Sequence, residues 1–516
     1  MVPEFANETL TDFSNPLHRQ AMQAALRGVQ DEFTREWPLV IGGKRVTSGA
    51  WIHSLNPCQK QQAVGKVAKA SQTQAEQALD AAWAAFPEWS RWQPAERARV
   101  LLKTAALMRA RKHVFSATMV YEAGKTWPEA DADTAEAIDF LEYYAREALR
   151  LAASHELPHL PGEDNELMYL PLGVGIIVPP WNFPLAITTG MTAAALVTGN
   201  TAILKPASLT PIIAARMVEA FEEAGTPSGV LNFLPGSGGE IGDFLVGHSK
   251  TRFISFTGSR EVGTHIYALA AQVQQGQRWL KRVVAEMGGK DAIIVDETAD
   301  LEAAASGITV SAYGFQGQKC SAASRAIVLE PVYQDVLARV AKNAEALRVG
   351  PAEDPDSQMS AVVDQSQYDK VLSYVEVGQR EGRLVVGGEP NGSSDGWYIQ
   401  PTVFADVPED GRLAQEEIFG PLLSFVRARD YSHALAIANG TEYGLTGGVY
   451  SRDRGHLEQA RAEFQAGNLY FNRKITGAMV GAQPFGGFDM SGTDSKAGGP
   501  DYLQLFMQAK VVVERF

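Results

Sequence analysis

Cys320 stands in Gly314-Phe-Gln-Gly317-Gln-Lys319-Cys320-Ser321, a polar, glycine-flanked stretch. A lone cysteine usually packs as a small hydrophobe, and that reading suits the other one, Cys58. Cys320 differs because Gly317 allows close backbone approach and Lys319 brings positive charge that favours a thiolate. A thiolate attacks carbonyl carbon, which points to acyl or aldehyde chemistry. Such a nucleophile needs a base and a donor for the developing oxyanion. The nine histidines are scattered, none in a glycine-framed loop, which weakens a Cys–His hydrolase. Glu286, in Val284-Ala-Glu286-Met-Gly288-Gly289-Lys290, directly follows an apolar run and reads either as a cleft-facing base or as a solvated strand-end acid. Asn182, in Pro179-Pro180-Trp181-Asn182-Phe183-Pro184, is held in a proline-rigid loop. Its amide suits an oxyanion donor, or an Asx turn ahead of a helix.

Two further segments carry glycine in a suggestive layout. Leu231-Asn-Phe-Leu-Pro-Gly236-Ser-Gly238-Gly239-Glu-Ile-Gly242 and Phe256-Thr-Gly258-Ser259-Arg-Glu-Val-Gly263 each run from an apolar strand through glycine into a helix. Exposed N–H groups at a helix start suit a pyrophosphate. Neither segment is a strict G-x-G-x-x-G or P-loop, and two tight βα turns would look the same.

The elements that position these residues follow from periodicity. Residues 1–37 read as an amphipathic helical arm ending at Trp37-Pro38, after which helices dominate. One contains Leu79, Ala82, Trp83 and Phe86, the next runs from Pro94 to the stop at Gly124, and a third covers about 128–153. Leu141, Tyr143 and Tyr144 of the third are read as core. From 173 the pattern alternates. Strands at 174–178, 202–204, 231–233, 253–256 and 282–285 enclose helices at about 186–198, 210–224, 239–247 and 260–274. Strands at 292–295 and 326–329, with helices at about 300–315 and 331–347, begin a second series after Gly288. Such alternation predicts parallel sheets joined by right-handed crossovers. The expected fold class is α/β, with a boundary near 287–289 and an edge strand or pairing arm at 510–515.

Composition narrows the function classes. The chain of 516 residues is 45% apolar and 21% charged, which fits a soluble multi-domain protein. Its net charge of −14 speaks against binding nucleic acid or anionic membrane. Two cysteines give no disulfide framework, so a reducing, cytoplasmic location is expected. The first twelve residues lack a basic n-region, so no signal peptide is expected. The uncharged run 167–204 is broken by prolines and is not expected to insert in a membrane. No metal site is expected.

Taken together, Pro-Trp-Asn-Phe-Pro at 180–184, Lys205-Pro-Ala, Phe256-Thr-Gly-Ser, Glu286-Met-Gly-Gly-Lys, Gly317-Gln-Lys-Cys320 and Glu416-Glu417-Ile-Phe419-Gly-Pro resemble the ordered motifs of the aldehyde dehydrogenase superfamily. The resemblance covers about 38–516. The N-terminal arm and Lys474-Ile-Thr-Gly477-Ala478-Met-Val-Gly-Ala-Gln-Pro-Phe485-Gly-Gly are similar to its 1-pyrroline-5-carboxylate dehydrogenase branch.

The resemblance implies a Rossmann-type NAD-binding domain at 38–154 and 173–287. It also implies an α/β catalytic domain at 288–495 and a small β oligomerisation element from 155–172 and 496–516. It implies Cys320 as nucleophile, Asn182 as oxyanion donor and Glu286 as base. Lys205, Gly236, Gly242, Gly258, Ser259, Glu417 and Phe419 fall at cofactor positions. Ser208 replaces an acid common in NAD-specific relatives, so NAD is expected as main cofactor with NADP also accepted. Ser321, Gly477, Ala478, Phe183, Phe485 and Glu136 would line the substrate tunnel, the first three holding a carboxylate.

The implied reaction is oxidation of L-glutamate γ-semialdehyde, the open form of 1-pyrroline-5-carboxylate, to glutamate. A dimer-based homo-oligomer and proline dehydrogenase as metabolic partner are implied as well. The rival readings are a succinate-semialdehyde dehydrogenase, a CoA-acylating member, and a non-catalytic NAD-binding relative.

Overall fold

The computed structural model describes residues 3–153, 157–392 and 395–516. Its centre is a seven-stranded sheet in the spatial order Arg282–Glu286, Phe253–Thr257, Val174–Val178, Thr201–Leu204, Leu231–Phe233, Leu39–Ile41, Lys44–Val46. The first five strands are parallel, and the last two are an antiparallel extension. Almost every residue of the parallel strands is buried, because crossover helices such as Ala186–Val197 and Pro211–Glu223 cover the sheet.

A second seven-stranded sheet runs Arg383–Val386, Thr402–Ala405, Leu422–Ala428, Arg325–Leu329, Ala292–Val295, Thr446–Tyr450, Asn468–Phe471. All its pairings are parallel except the edge strand Arg383–Val386. The expected α/β class with two parallel-sheet series is therefore borne out. The first series ends in Glu286 and the second begins at Ala292. The intervening Met287–Asp291 carries the glycine pair.

The C-terminal strand Met507–Arg515 pairs antiparallel with Glu163–Pro171 along its whole length, as a ribbon with no third strand among the described residues. Val511, Val512 and Val513 are exposed on it. Residues 155 and 156 of the predicted oligomerisation segment lie outside the described residues. Among the described residues no helix is long and apolar enough to cross a membrane.

Three expectations need correction. The arm is helical only over Pro16–Gln30; the stretch before it has no regular secondary structure, and Glu36–Trp37 joins a three-stranded sheet with Gln59–Ala68 and Trp51–Asn56. Residues 39–68 are mostly strand rather than helix. Leu39–Ile41 and Lys44–Val46 have three residues each, and the longer Trp51–Asn56 and Gln59–Ala68 mix polar with apolar residues, so periodicity gives no clear period of two. The predicted helix from Pro94 is two helices, Pro94–Ala110 and Lys112–Ala123, broken at Arg111 (φ −114°, ψ 23°). No proline or glycine marks that break. The second helix turns to pack on both Pro16–Gln30 and the long helix Trp127–Leu151.

Candidate active site

Parallel strands deliver their carboxyl ends to one edge, where ligand crevices form in open α/β sheets. Asn182 follows Val174–Val178, Lys205 follows Thr201–Leu204, Gly258 and Ser259 follow Phe253–Thr257, and Glu286 closes its own strand. The second sheet contributes the loop after Leu301–Tyr313, which carries Cys320.

That loop is wound unusually. Phe315, Gln316 and Gly317 sit consecutively in the left-handed region, at φ 49°, 58° and 67°. Strained backbone of this kind persists only where surroundings over-determine it. Here Gln316 is fully buried and its amide donates to the Gly124 and Ala361 carbonyls. The Gln318 side chain accepts from Val363 N–H at 2.9 Å. Gly317 has a second reason to lack a side chain: a Cβ there would overlap the Gly420 carbonyl. The Cys320 loop and the Glu417–Gly420 loop are therefore in backbone contact.

Cys320 opens on a cavity of about 100 Å³. The walls bring together Glu136, Phe183, Glu286, Cys320, Ser321, Gly477, Ala478 and Phe485, eight residues singled out from sequence. Burial, and then the carboxylates of Asp291, Glu417 and Glu286, push the Cys320 thiol well above its ordinary range. This corrects the expectation that Lys319 favours the thiolate. The Lys319 ammonium is instead paired with Glu129 at 2.7 Å. Cys58, by contrast, is the buried packing cysteine expected, with its sulfur 3.2 Å from Ser360 Oγ.

Glu286 is 8% exposed, and burial raises its carboxyl to about 8. Ser495 Oγ and the Gly487 N–H donate to it. Asn182 does not line the cavity; its Nδ2 donates at 3.0 Å to the carbonyl of Gln318, two residues before the cysteine. The amide is thus tied to the loop that carries Cys320. Glu136 has its carboxyl raised to about 8 by burial and then by Asp133.

Lys205 is 7% exposed and lowered to about 8 by burial alone. An ammonium held dry without a carboxylate is suited to hydroxyl or phosphate oxygens. Ser259 caps Arg260–Ala270, accepting from Val262 N–H at 3.3 Å, and is exposed. Ser208 is exposed as well. Gly236 precedes, and Gly242 ends, a π-wound turn at Gly238–Gly242 that opens the expected helix at 239–247. Glu417 accepts from Gly289 N–H at 3.0 Å, and burial raises it. Phe419, at φ 63°, meets Trp181 edge-on at 5.5 Å between ring centroids.

Several contributors were not foreseen. Tyr144, expected only as core, lines the cavity with Phe140, Tyr502, Val480 and Gln483. Lys125 is fully buried, 2.9 Å from Asp133 and 4.0 Å from the Phe183 ring centroid. A signal existed. Glu129, Asp133, Glu136, Phe140 and Tyr144 recur at three- and four-residue intervals and share one helix face. Acids on a stripe that continues as aromatics are not a solvated face.

Residues 45–512 match the aldehyde dehydrogenase family, and the chain belongs to it. Among individual relatives, it is 58% identical over the full length of both chains to proteins named 1-pyrroline-5-carboxylate dehydrogenase from Geobacillus sp. (strain WCH70) and Geobacillus kaustophilus (strain HTA426). It superposes with a TM-score of 0.98 on a Thermus 1-pyrroline-5-carboxylate dehydrogenase solved with bound NAD, at 56% identity and full coverage of both chains. It also matches proline utilization A from Bdellovibrio bacteriovorus at 45% identity and a TM-score of 0.98, covering 99% of this chain and 53% of that one.

Proposed function

We propose that the protein oxidises L-glutamate γ-semialdehyde, formed from 1-pyrroline-5-carboxylate, to L-glutamate with NAD. The observation that carries this is one narrow cavity holding Cys320 and Glu286 together with Glu136, Ser321, Gly477 and Ala478. A thiol, a base, a carboxyl and a cluster of small residues with accessible backbone match an aldehyde whose far end is an amino acid. Relatives named for this activity over the full length support it. The succinate-semialdehyde alternative lacks a cationic side chain among the cavity residues.

In this reading the Cys320 thiol gives up its proton to solvent water, and the thiolate Sγ adds to the aldehyde carbon to give a hemithioacetal oxyanion. The Cys320 N–H and the Asn182 amide, once released from the Gln318 carbonyl, donate to that oxygen. NAD, when bound, accepts the hydride as the oxyanion collapses, leaving a thioester on Cys320. Glu286 takes a proton from water, which attacks the thioester carbon; the C–S bond breaks and glutamate leaves. Ser321 and the N–H groups of Gly477 and Ala478 hold the substrate's α-carboxylate. Glu136 faces its ammonium, and Phe183 and Phe485 clasp the methylenes. Lys205 and Glu417 would hold the two ribose hydroxyl pairs of NAD, Ser259 and the turns containing Gly236, Gly242 and Gly258 its pyrophosphate, and Phe419 the ribose beside the nicotinamide. No carboxylate stands at 208 to repel a 2′-phosphate, so NADP is used at a lower rate.

The proposal divides the chain as follows: a cofactor domain at 38–154 and 173–287, a catalytic domain at 288–495, and an oligomerisation element from 155–172 and 496–516. The exposed valines of the terminal ribbon support a homodimer. The protein is proposed to act in the cytoplasm, where a proline-oxidising enzyme supplies its substrate. NADH production from 1-pyrroline-5-carboxylate, against succinate semialdehyde and aliphatic aldehydes, tests the reading, with kcat/KM for NAD and NADP measured alongside. The highest kcat/KM is expected for 1-pyrroline-5-carboxylate with NAD. A preference for another aldehyde would overturn the substrate, and complete rejection of NADP would overturn the role of Ser208.

A further inference from the structure

The segment 3–15, which has no regular secondary structure, precedes the first helix and is far in sequence from every site residue, yet it reaches the outside of the cavity wall. Asn7 Nδ2 donates to Asp139 Oδ2 at 2.9 Å and to the Val480 carbonyl at 3.0 Å. Val480 lines the cavity, three residues after Gly477 and two after Ala478. Asp139 lies on the long helix, where Glu136, Phe140 and Tyr144 face the cavity. One amide therefore ties together the two walls that meet the far end of the substrate.

Neighbouring contacts strengthen that tie. The Glu8 N–H donates to Asp139 Oδ1 at 2.6 Å, so both oxygens of this buried carboxyl serve the segment. Phe5 packs edge-on against Tyr143, with ring centroids 5.2 Å apart. It also sits against Gly481, whose left-handed backbone (φ 79°) leaves room for both rings. Gly481 N–H in turn donates to Gly498, and Gly498 N–H to the Tyr144 hydroxyl, at 2.9 and 2.8 Å. Further along, Thr11 is held separately by Asp131, through its N–H at 2.7 Å and its hydroxyl at 2.6 Å. That second attachment has no partner in the 477–483 loop.

We infer that Asn7 is a positioning residue for substrate specificity: it clamps the Gly477–Gln483 loop to the helix bearing Glu136 and so fixes the spacing of the groups that hold the α-carboxylate and α-ammonium. The inference rests on the reading of those groups given under Proposed function. A loop whose N–H groups must converge on a carboxylate loses affinity when it is free to shift, because binding must then order it. The reacting end, at Cys320 and Glu286, does not touch the strap.

The test is calorimetric titration of the full-length enzyme with L-glutamate, the product that carries the same amino-acid end, and separately with NAD. Asn7→Ala is expected to weaken glutamate about fivefold to tenfold, the loss of one bridging donor, with NAD affinity unchanged. In turnover the KM for the semialdehyde rises by a similar factor while kcat stays within about twofold. Thr11→Ala loosens the strap away from the loop and is expected to leave the glutamate affinity as it was. Equal glutamate affinity in Asn7→Ala and the unaltered protein would overturn the inference. So would a parallel loss of NAD affinity, or the same loss in Thr11→Ala, since either signals general loosening. If the unaltered protein does not bind glutamate, the substrate reading falls and the inference with it.

Discussion

Glu286, which closes the strand Arg282–Glu286, and Glu122, in the last turn of the helix Lys112–Ala123, are both buried carboxyls pushed up mainly by loss of solvent, to about 8 and about 7. Their neighbours differ. Glu122 accepts from Ile212 N–H, Ile213 N–H and Ser54 Oγ, at 2.8, 2.9 and 2.9 Å, joining the first turn of Pro211–Glu223 to the strand Trp51–Asn56. Glu286 has a serine hydroxyl and one long N–H contact, and it faces a cavity shared with a thiol. A perturbed carboxyl is therefore not by itself a mark of catalysis. What separates the two is room for a reacting molecule. Glu122 is a helix clamp with both oxygens committed, and Glu286 has space in front of it.

The largest effect is expected at Cys320, which shares the cavity with Glu286. Cys320→Ala should abolish aldehyde oxidation, by on the order of 10³-fold or more in kcat, while the protein stays folded by circular dichroism and still binds NAD. Oxidation at an undiminished rate would remove the thiol mechanism. Glu286→Gln should cost less, about 10²- to 10⁴-fold in steady-state kcat, and in a particular way. A stopped-flow trace should retain the first burst of NADH, since hydride leaves before water attacks, and then stall at the thioester. The proposed base must be ionised to take a proton from water, so kcat of the unaltered enzyme should climb as pH rises through about 8 and level off above it. The glutamine variant should lose that limb. A variant that kept it would show that another group is the base.

The contrast also explains what could be read in the chain before its structure was known. Cys320 and Glu286 were legible because glycine brackets them: Gly317 admits the Gly420 backbone, and the Gly288–Gly289 pair admits the Glu417 carboxyl, so their chemistry is encoded locally. The parallel strands were legible as continuous apolar runs. The hairpin Leu39–Ile41 to Lys44–Val46 was missed, although Gly42 and Gly43, both left-handed at 59° and 76°, are the expected hairpin pair. Three-residue strands give periodicity too little to count. Lys319 was misread because its partner, Glu129, lies 190 residues away. Charge beside a nucleophile in sequence says nothing of what neutralises it in space. Tyr144 reads as core in the sequence because a residue that packs and a residue that lines a cavity share one pattern on a helix. Glu122 carried no signal at all, since its three donors come from two distant segments.

That last residue supplies the mildest test for activity and a direct one for stability. Glu122→Gln keeps the shape but replaces one accepting oxygen with an NH₂ group that faces backbone N–H donors. The expected cost is about 1–3 kcal/mol of stability, read by thermal or urea unfolding, with kcat within about twofold of the unaltered enzyme. The pH dependence fixes the sign. The folded carboxyl is raised above its ordinary value of 4.5 to about 7, so the folded state holds the proton more tightly than the unfolded chain does. Its contribution to stability is fully present below about 4.5 and is lost as pH rises through about 7. Glutamine does not titrate, so the stability difference between the two proteins should narrow as pH rises across that window. A kcat that falls with Glu122→Gln as far as with Glu286→Gln would erase the distinction between clamp and base. A difference that widened with pH would mean that the folded state favours the ionised form of Glu122, held by its three donors.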